Sequence, residues 1–374
     1  MAAKPATPVR SAESAPVLVT STLLVDAGPS PFAGPQWKTE FGRSAVAWAE
    51  ITSGGPSKDG IPAIDEPMFE SLEKASAWIS EGDPLLVVEV GDEVRAYPLA
   101  ILIWHEIVND TIDGRPIAVT YCPLCNSGIV FDATLDGRRL DFGTTGNLRN
   151  SDMIMYDRQT ESWWQQFTGD AIVGELTGAQ LSVLASQILS LADLREVHPE
   201  AQVLRRPAAP RDYGRNPYVN YDSLAGRPFL FGGELDERLL PMERIVGVFD
   251  GKVALAYPFA TLSESGVVND FVGETPIVVL FTEGVRSALD ASLISEGRET
   301  GAAAVFERVV DGAELSFVAS GDGKFTDEET GSIWNIVGEA VAGPLEGERL
   351  KQIPSADHFW FAWVAFHPDT DIGE

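Results

Sequence analysis

The apolar residues of this chain fall in short runs closed off by Gly, Asp, Asn and Pro, not in the longer three-and-four spacing of amphipathic helices. Such runs are the pattern of strands joined by tight turns. Pro84-Leu-Leu-Val-Val-Glu-Val90, then Gly91-Asp92, then Glu93-Val-Arg-Ala-Tyr97 predicts a hairpin. Ile117 to Tyr121 and Gly128 to Asp132 read as two further strands, and Leu135-Asp136-Gly137 as another hairpin turn. Helical segments are few. One runs from Pro98 to Ile107, with proline in its first turn, and one from Asp193 to Val197. The sum predicts an α+β, mostly β fold with antiparallel sheets and short helices.

The pattern repeats. Ala96-Tyr-Pro-Leu-Ala-Ile-Leu102 matches Ala256-Tyr-Pro-Phe-Ala-Thr-Leu262, Val108-Asn-Asp110 matches Val268-Asn-Asp270, and Pro116-Ile-Ala-Val119 matches Pro276-Ile-Val-Val279. The offset is the same in all three. Downstream, Asp157, Thr160, Ser162 and Trp164 match Asp327, Thr330, Ser332 and Trp334 at a larger offset, so the second copy carries an insertion. Self-similarity of this kind predicts two homologous repeat domains. The expected boundaries are an N-terminal extension over 1–55, partly disordered, a first repeat domain over 56–204, a linker over 205–238, and a second repeat domain over 239–374. The extension is rich in Ala, Pro, Ser and Thr. Its run from Ala15 to Val25 is apolar enough for a weak export signal, but reads better as a strand on the first domain. The linker is rich in Pro and Arg, and its tail, Asn216-Pro-Tyr-Val-Asn-Tyr-Asp222, carries apolar anchors expected to pack on a domain.

Composition narrows the partners. The chain has 374 residues, 56 acidic against 27 basic, for a formal net charge of -29. Such a surface repels phosphate backbones, which argues against nucleic acid. No apolar stretch is long enough for a membrane span. High acidity with few lysines fits a salty or extracytoplasmic setting, or serves solubility alone.

The two cysteines stand together in Tyr121-Cys-Pro-Leu-Cys125-Asn-Ser-Gly128. A redox C-x-x-C opens a helix, whose dipole lowers the thiol pKa. Here strand-type residues follow, which favours a tight knuckle presenting both sulfurs to one metal ion. The repeat sharpens this: Cys122, Cys125 and His105 face Thr282, Val285 and Ser265 in the second copy, so both thiols and the imidazole are missing together. The predicted site is therefore Cys122, Cys125 and His105. Asp152 or the thioethers of Met153 and Met155, from Asn150-Ser-Asp-Met-Ile-Met-Tyr-Asp157, are rival sources of a fourth ligand. Cys, His and Met together suit copper, while Cys and His alone suit zinc, with iron a further option. Blander readings stand beside these. Met153 and Met155 serve equally as core filler, and Trp104 as ordinary core. His198 and His367, matched in both copies, read as structural, and Asn109-Asp110, repeated as Asn269-Asp270, reads as a turn. His358, in Asp357-His-Phe-Trp-Phe-Ala-Trp363, reads as packing or as facing a site from the second copy. Three functions remain open. The first is a copper-type redox or metal-handling protein acting on a small molecule or a redox partner protein; as an enzyme it would be a metal-dependent oxidoreductase. The others are a dithiol/disulfide oxidoreductase and a structural zinc-knuckle binding module.

Asp59-Gly-Ile-Pro-Ala-Ile-Asp65, Trp104-His-Glu-Ile-Val-Asn-Asp110, Val119-Thr-Tyr-Cys-Pro-Leu-Cys125, the 150–157 segment, and Phe359-Trp-Phe-Ala-Trp363 with Phe366-His-Pro-Asp-Thr370 together resemble the DUF3179 family. The resemblance spans nearly the whole chain after residue 55. It implies no reaction, because the family's function is unknown. It does imply export, since many proteins similar to it look exported, often as lipoproteins. This chain departs there, with no lipobox cysteine, and carries Asn126 where the family pattern has glycine after the second cysteine.

Overall fold

In the computed structural model, residues 24–373 are described; the expectations for a disordered leader and for most of an N-terminal strand over 15–25 lie outside them. The chain is mostly β, with several antiparallel sheets and a few helices of a few residues each.

Three larger sheets and one two-stranded hairpin, Thr134–Leu135 with Arg138–Arg139 around the predicted Asp136-Gly137 turn, build the first half. The hairpin predicted at Gly91-Asp92 forms as Pro84–Val90 paired with Glu93–Pro98. Its sheet also takes in Ser186–Ser190, Gln202–Leu204 and Phe69–Ser71. The first strand of this hairpin is apolar on both faces, because core lies on both sides of it. A short helix, Leu99–His105, leads from the hairpin to the second sheet, formed by Ile107–Ile112, Arg115–Cys122, Ser127–Asp132 and Val183–Leu184. The third sheet joins Ile51–Ser53, Phe142–Arg149, Asp152–Asp157, Trp163–Gln165 and Ala171–Val173. Residues upstream of 55 pack on this last sheet: Val46, Trp48 and Ile51 are buried with Tyr156 and Trp163, and Phe32, Trp37 and Phe41 close over them. Indole and phenyl rings here meet edge to face, as the ring quadrupole favours.

The second half runs through the same order of elements. Arg244–Phe249 and Ala254–Pro258 form a hairpin flanked by Ser355–Phe359 and Asp371–Ile372. The helix Phe259–Ser265 follows, then the sheet of Val267–Val272, Thr275–Thr282, Ala302–Glu307 and Lys351–Gln352, then that of Phe317–Gly321, Lys324–Asp327, Ile333–Trp334 and Ala340–Ala342. Individual contacts recur as well. Tyr97 donates to Asp110 at 2.6 Å and Tyr257 to Asp270 at 2.9 Å. The turn expected at Asn109-Asp110 and Asn269-Asp270 does not form: both pairs lie inside strands, where Asn109 clamps the backbone of Phe142 and Asn269 that of Phe317. The halves are not separate bodies, because two of the buried clusters draw residues from both.

A matched pair of buried tryptophans offers a direct test. Trp164 Nε1 donates to Asp157 at 2.9 Å, and Trp334 Nε1 donates to Asp327 at 2.9 Å. All four side chains are fully enclosed. Replacing either indole by phenylalanine opens a void and strips a donor from a buried carboxylate. Trp164→Phe and Trp334→Phe are each expected to cost about 2–4 kcal/mol by urea denaturation. A cost below about 0.5 kcal/mol for one of them would show that its half does not rely on this contact.

Candidate functional site

The strand Arg115–Cys122 runs out at the first cysteine, and Ser127–Asp132 begins directly after the second. Tyr121 pairs with Gly128 and Cys122 with Ser127, so the turn between them is closed by a ladder on both sides. Within it the Cys125 and Asn126 amides donate to the carbonyls of Cys122 and Pro123. Asn126 takes φ 51, the left-handed conformation that asparagine tolerates better than most residues. The segment is the expected knuckle between strands, and no helix follows Cys125.

The knuckle packs against the start of the strand Asp152–Asp157. Cys122 Sγ, Cys125 Sγ and an Asp152 carboxylate oxygen all lie within 4.8 Å of one another, and all three residues are buried. Asp152 Oδ2 accepts from Gln165 Nε2 at 2.6 Å and from the Phe167 amide at 3.0 Å. Its Oδ1 is fully enclosed with no partner. Burial pushes the Asp152 carboxyl up to about 7, against the lowering pull of the Gln165 and Phe167 hydrogen bonds and, more weakly, of the Cys122 and Cys125 thiols. Burial also pushes both thiols up, Cys125 well above the usual range. Both cysteines are free.

A second carboxyl stands beside this cluster. Glu106 is buried, and burial first, then the neighbouring Asp152 charge, pushes it up to about 8. Its backbone caps the helix Leu99–His105 at φ 58, a conformation that glycine adopts far more readily. The equivalent helix in the second half ends on Gly266, at φ 71. Among the described residues, no Lys or Arg forms an ion pair with Asp152 or Glu106. Glu106, Leu124, Met153, Tyr218 and Phe229 line a cavity of about 150 Å³ against the cluster. The tail of the linker closes the site from outside, with Tyr221 donating to the Leu124 carbonyl at 3.0 Å.

The structure thus brings together three of the residues singled out from sequence: Cys122, Cys125 and Asp152. His105 stands outside that cluster. Its Nδ1 lies 2.7 Å from the Pro62 carbonyl and its Nε2 2.7 Å from the Tyr213 hydroxyl, so both ring nitrogens are engaged, and its ring stacks on Tyr213. The place expected for the imidazole next to the sulfurs is held by the Asp152 carboxylate. Met153 borders the small cavity, and Met155, fully buried, pairs across the sheet with Trp164 and Thr144. Glu106, Tyr218 and Tyr221 are not among the residues singled out for chemistry from sequence. For Glu106 a signal was there: an acidic residue at a helix end whose counterpart is glycine.

The family model described as "Protein of unknown function (DUF3179)" matches residues 58–370. No curated protein and no solved structure matches the chain.

Proposed function

Because the chain belongs to the DUF3179 family, whose description supplies no reaction, we propose a function from the site itself: a metal-binding protein in which Cys122, Cys125 and Asp152 hold one divalent ion. The single observation that carries it is the enclosure of two sulfurs and a carboxylate oxygen within 4.8 Å of one another, with the enclosed Asp152 Oδ1 facing no donor better than the two thiols. A buried carboxylate oxygen without a good donor costs free energy, and among the described residues no cation compensates it. A metal ion does so at one stroke, and its charge would draw the protons off both thiols.

Two thiolates and one carboxylate suit zinc first and iron second. Copper, expected when imidazole and thioether donors were counted in, needs donors from outside this cluster. Three protein ligands leave one coordination position open, as in catalytic rather than structural zinc sites. Such an ion supplies Lewis-acid chemistry when bound. Glu106 borders the adjoining cavity, where it would hold or release a proton, and Tyr218 and the Tyr221 ring limit water. A dithiol/disulfide function is disfavoured by burial, which raises both thiols when a nucleophilic cysteine needs the opposite. We also read the two halves as homologous repeat domains, 56–204 and 239–374, joined by 205–238. The matched order of elements and the recurring Tyr–Asp, Asn–backbone and Trp–Asp contacts support this, with the metal donors kept in the first copy only.

The test is elemental analysis with an absorption spectrum on protein purified without added metal. About one zinc or iron per chain is expected, with neither thiol titratable before denaturation. Less than about 0.1 metal per chain, with no uptake on addition of zinc, would sink the proposal. A copper-thiolate absorption band would return copper to first place.

A further inference from the structure

On the other side of the knuckle, between the two halves, lies a cavity of about 500 Å³. That is the size of a small-molecule site. Its walls are rings from both halves. Phe167, from the first, lies 4.6 Å from Phe366 in a stacked arrangement and 4.4 Å from His358. Trp363 and His367 lie 4.2 Å apart. The polar lining includes Asp170 and several neutral side chains but no Lys or Arg.

The imidazoles set the chemistry. His358 is 3% exposed, lines the cavity, and has an enclosed Nδ1 without a partner. A native protein rarely leaves such a nitrogen unpaired, because the lost hydrogen bond to water is not replaced. Burial keeps both His358 and His367 in the neutral form, each with one donating and one accepting nitrogen. These rings pack on one another, so the cavity meets their edges and outermost faces, an apolar aromatic wall that favours an aromatic guest. No cation lines the cavity, Asp170 does, and the neighbouring guanidinium, Arg149 over Phe366, is paired with Glu50 at 2.8 Å, which together disfavour carboxylates and phosphates.

We propose that this cavity binds a planar aromatic small molecule, of about two fused rings, whose hydroxyl or N–H group hydrogen-bonds His358. The proposal does not depend on a metal ion, but the two places touch. Phe167 walls the cavity with its ring while its amide holds Asp152, and Phe359, next to His358, donates its amide to the Cys125 carbonyl at 2.9 Å.

The experiment is a calorimetric titration of the full chain with 2-naphthol, repeated with 2-methoxynaphthalene and naphthalene-2-carboxylate. One saturable site for 2-naphthol is expected, with binding about tenfold weaker for the methyl ether, which cannot donate, and weaker still for the carboxylate. His358→Phe keeps the ring and removes the nitrogen, so it should weaken 2-naphthol about tenfold and abolish the preference over the ether. Circular dichroism and thermal melting establish that the variant is folded. If it is not, Phe366→Ala, at a half-buried wall position, takes its place and should weaken both naphthalenes alike. No saturable binding of 2-naphthol up to its solubility limit would overturn the proposal. So would unchanged affinity in a folded His358→Phe variant or, where that variant does not fold, in Phe366→Ala.

Discussion

An Asp152→Asn variant is expected to bind zinc at least ~100-fold more weakly than the parent while its metal-free form becomes more stable. The two effects have opposite signs because the carboxylate serves the ion and burdens the empty fold. Asparagine keeps an oxygen for the Gln165 and Phe167 donors, removes the buried charge, and sets an amide NH2 beside the two sulfurs, which are weak acceptors. The gain above pH 7 should be ~1–3 kcal/mol, the cost of burying the charge less that of the poorly paired amide. It should also depend on pH. Burial lifts the folded-state carboxyl from 3.8 to about 7. Between those values the folded chain keeps a proton that the unfolded chain has released, so this group's contribution to stability falls as pH rises. The advantage of the asparagine variant should therefore vanish near pH 4 and be full above pH 7. Urea denaturation in the presence of a chelator, at pH 4.5 and pH 8, measures this, and a zinc competition titration measures the affinity. An asparagine variant with the parent's zinc affinity would remove Asp152 from the ligand set. One less stable than the parent without metal would mean that the carboxylate has a structural partner.

Much of the fold is written locally in this chain. The hairpin at Gly91-Asp92 and the strands on either side of the knuckle follow from period and turn chemistry, which act within a few residues. The Cys122–Cys125 pair was legible for the same reason, since its spacing alone fixes both sulfurs on one turn. Asp152 was legible only as one of several options, because which residue of a strand reaches a neighbouring sheet depends on packing that no local rule contains. His105 shows the same limit. Its absence from the second copy fits a ligand and equally fits a side chain pinned between Pro62 and Tyr213, and the tyrosine arrives from a linker far along the chain. Glu106 was hidden differently. An acid at a helix end carries no local mark of burial, and only comparison with Gly266 reveals a side chain kept where the backbone would favour none. Such conflicts between local preference and observed residue concentrate at functional sites.

The other large effect expected is an acid sensitivity that centres on His358. Burial first, then the neighbouring His367, lowers its pKa from 6.5 to about 3. As pH falls below 6.5 the unfolded chain protonates this imidazole while the folded chain leaves it neutral, so stability is lost on acidification until about pH 3. Each tenfold weakening of proton affinity in the folded state corresponds to about 1.4 kcal/mol, which puts the full loss from this side chain on the order of 5 kcal/mol. His367, lowered to about 4 by burial, adds in the same direction. The buried carboxyls of Asp152 and Glu106 work the opposite way, gaining stability as they protonate, so the parent curve alone does not isolate the histidine. The difference between parent and His358→Phe does, because the carboxyls are common to both. Phenylalanine keeps the contacts with Phe167 and Trp363 and carries no proton. Relative to their difference at pH 7, the variant is expected to gain about 3 kcal/mol on the parent by pH 4, read from urea midpoints at closely spaced pH values. If the two proteins lose stability in parallel, His358 takes up its proton as readily folded as unfolded, and below pH 6.5 the cavity presents a cation where a neutral acceptor is inferred.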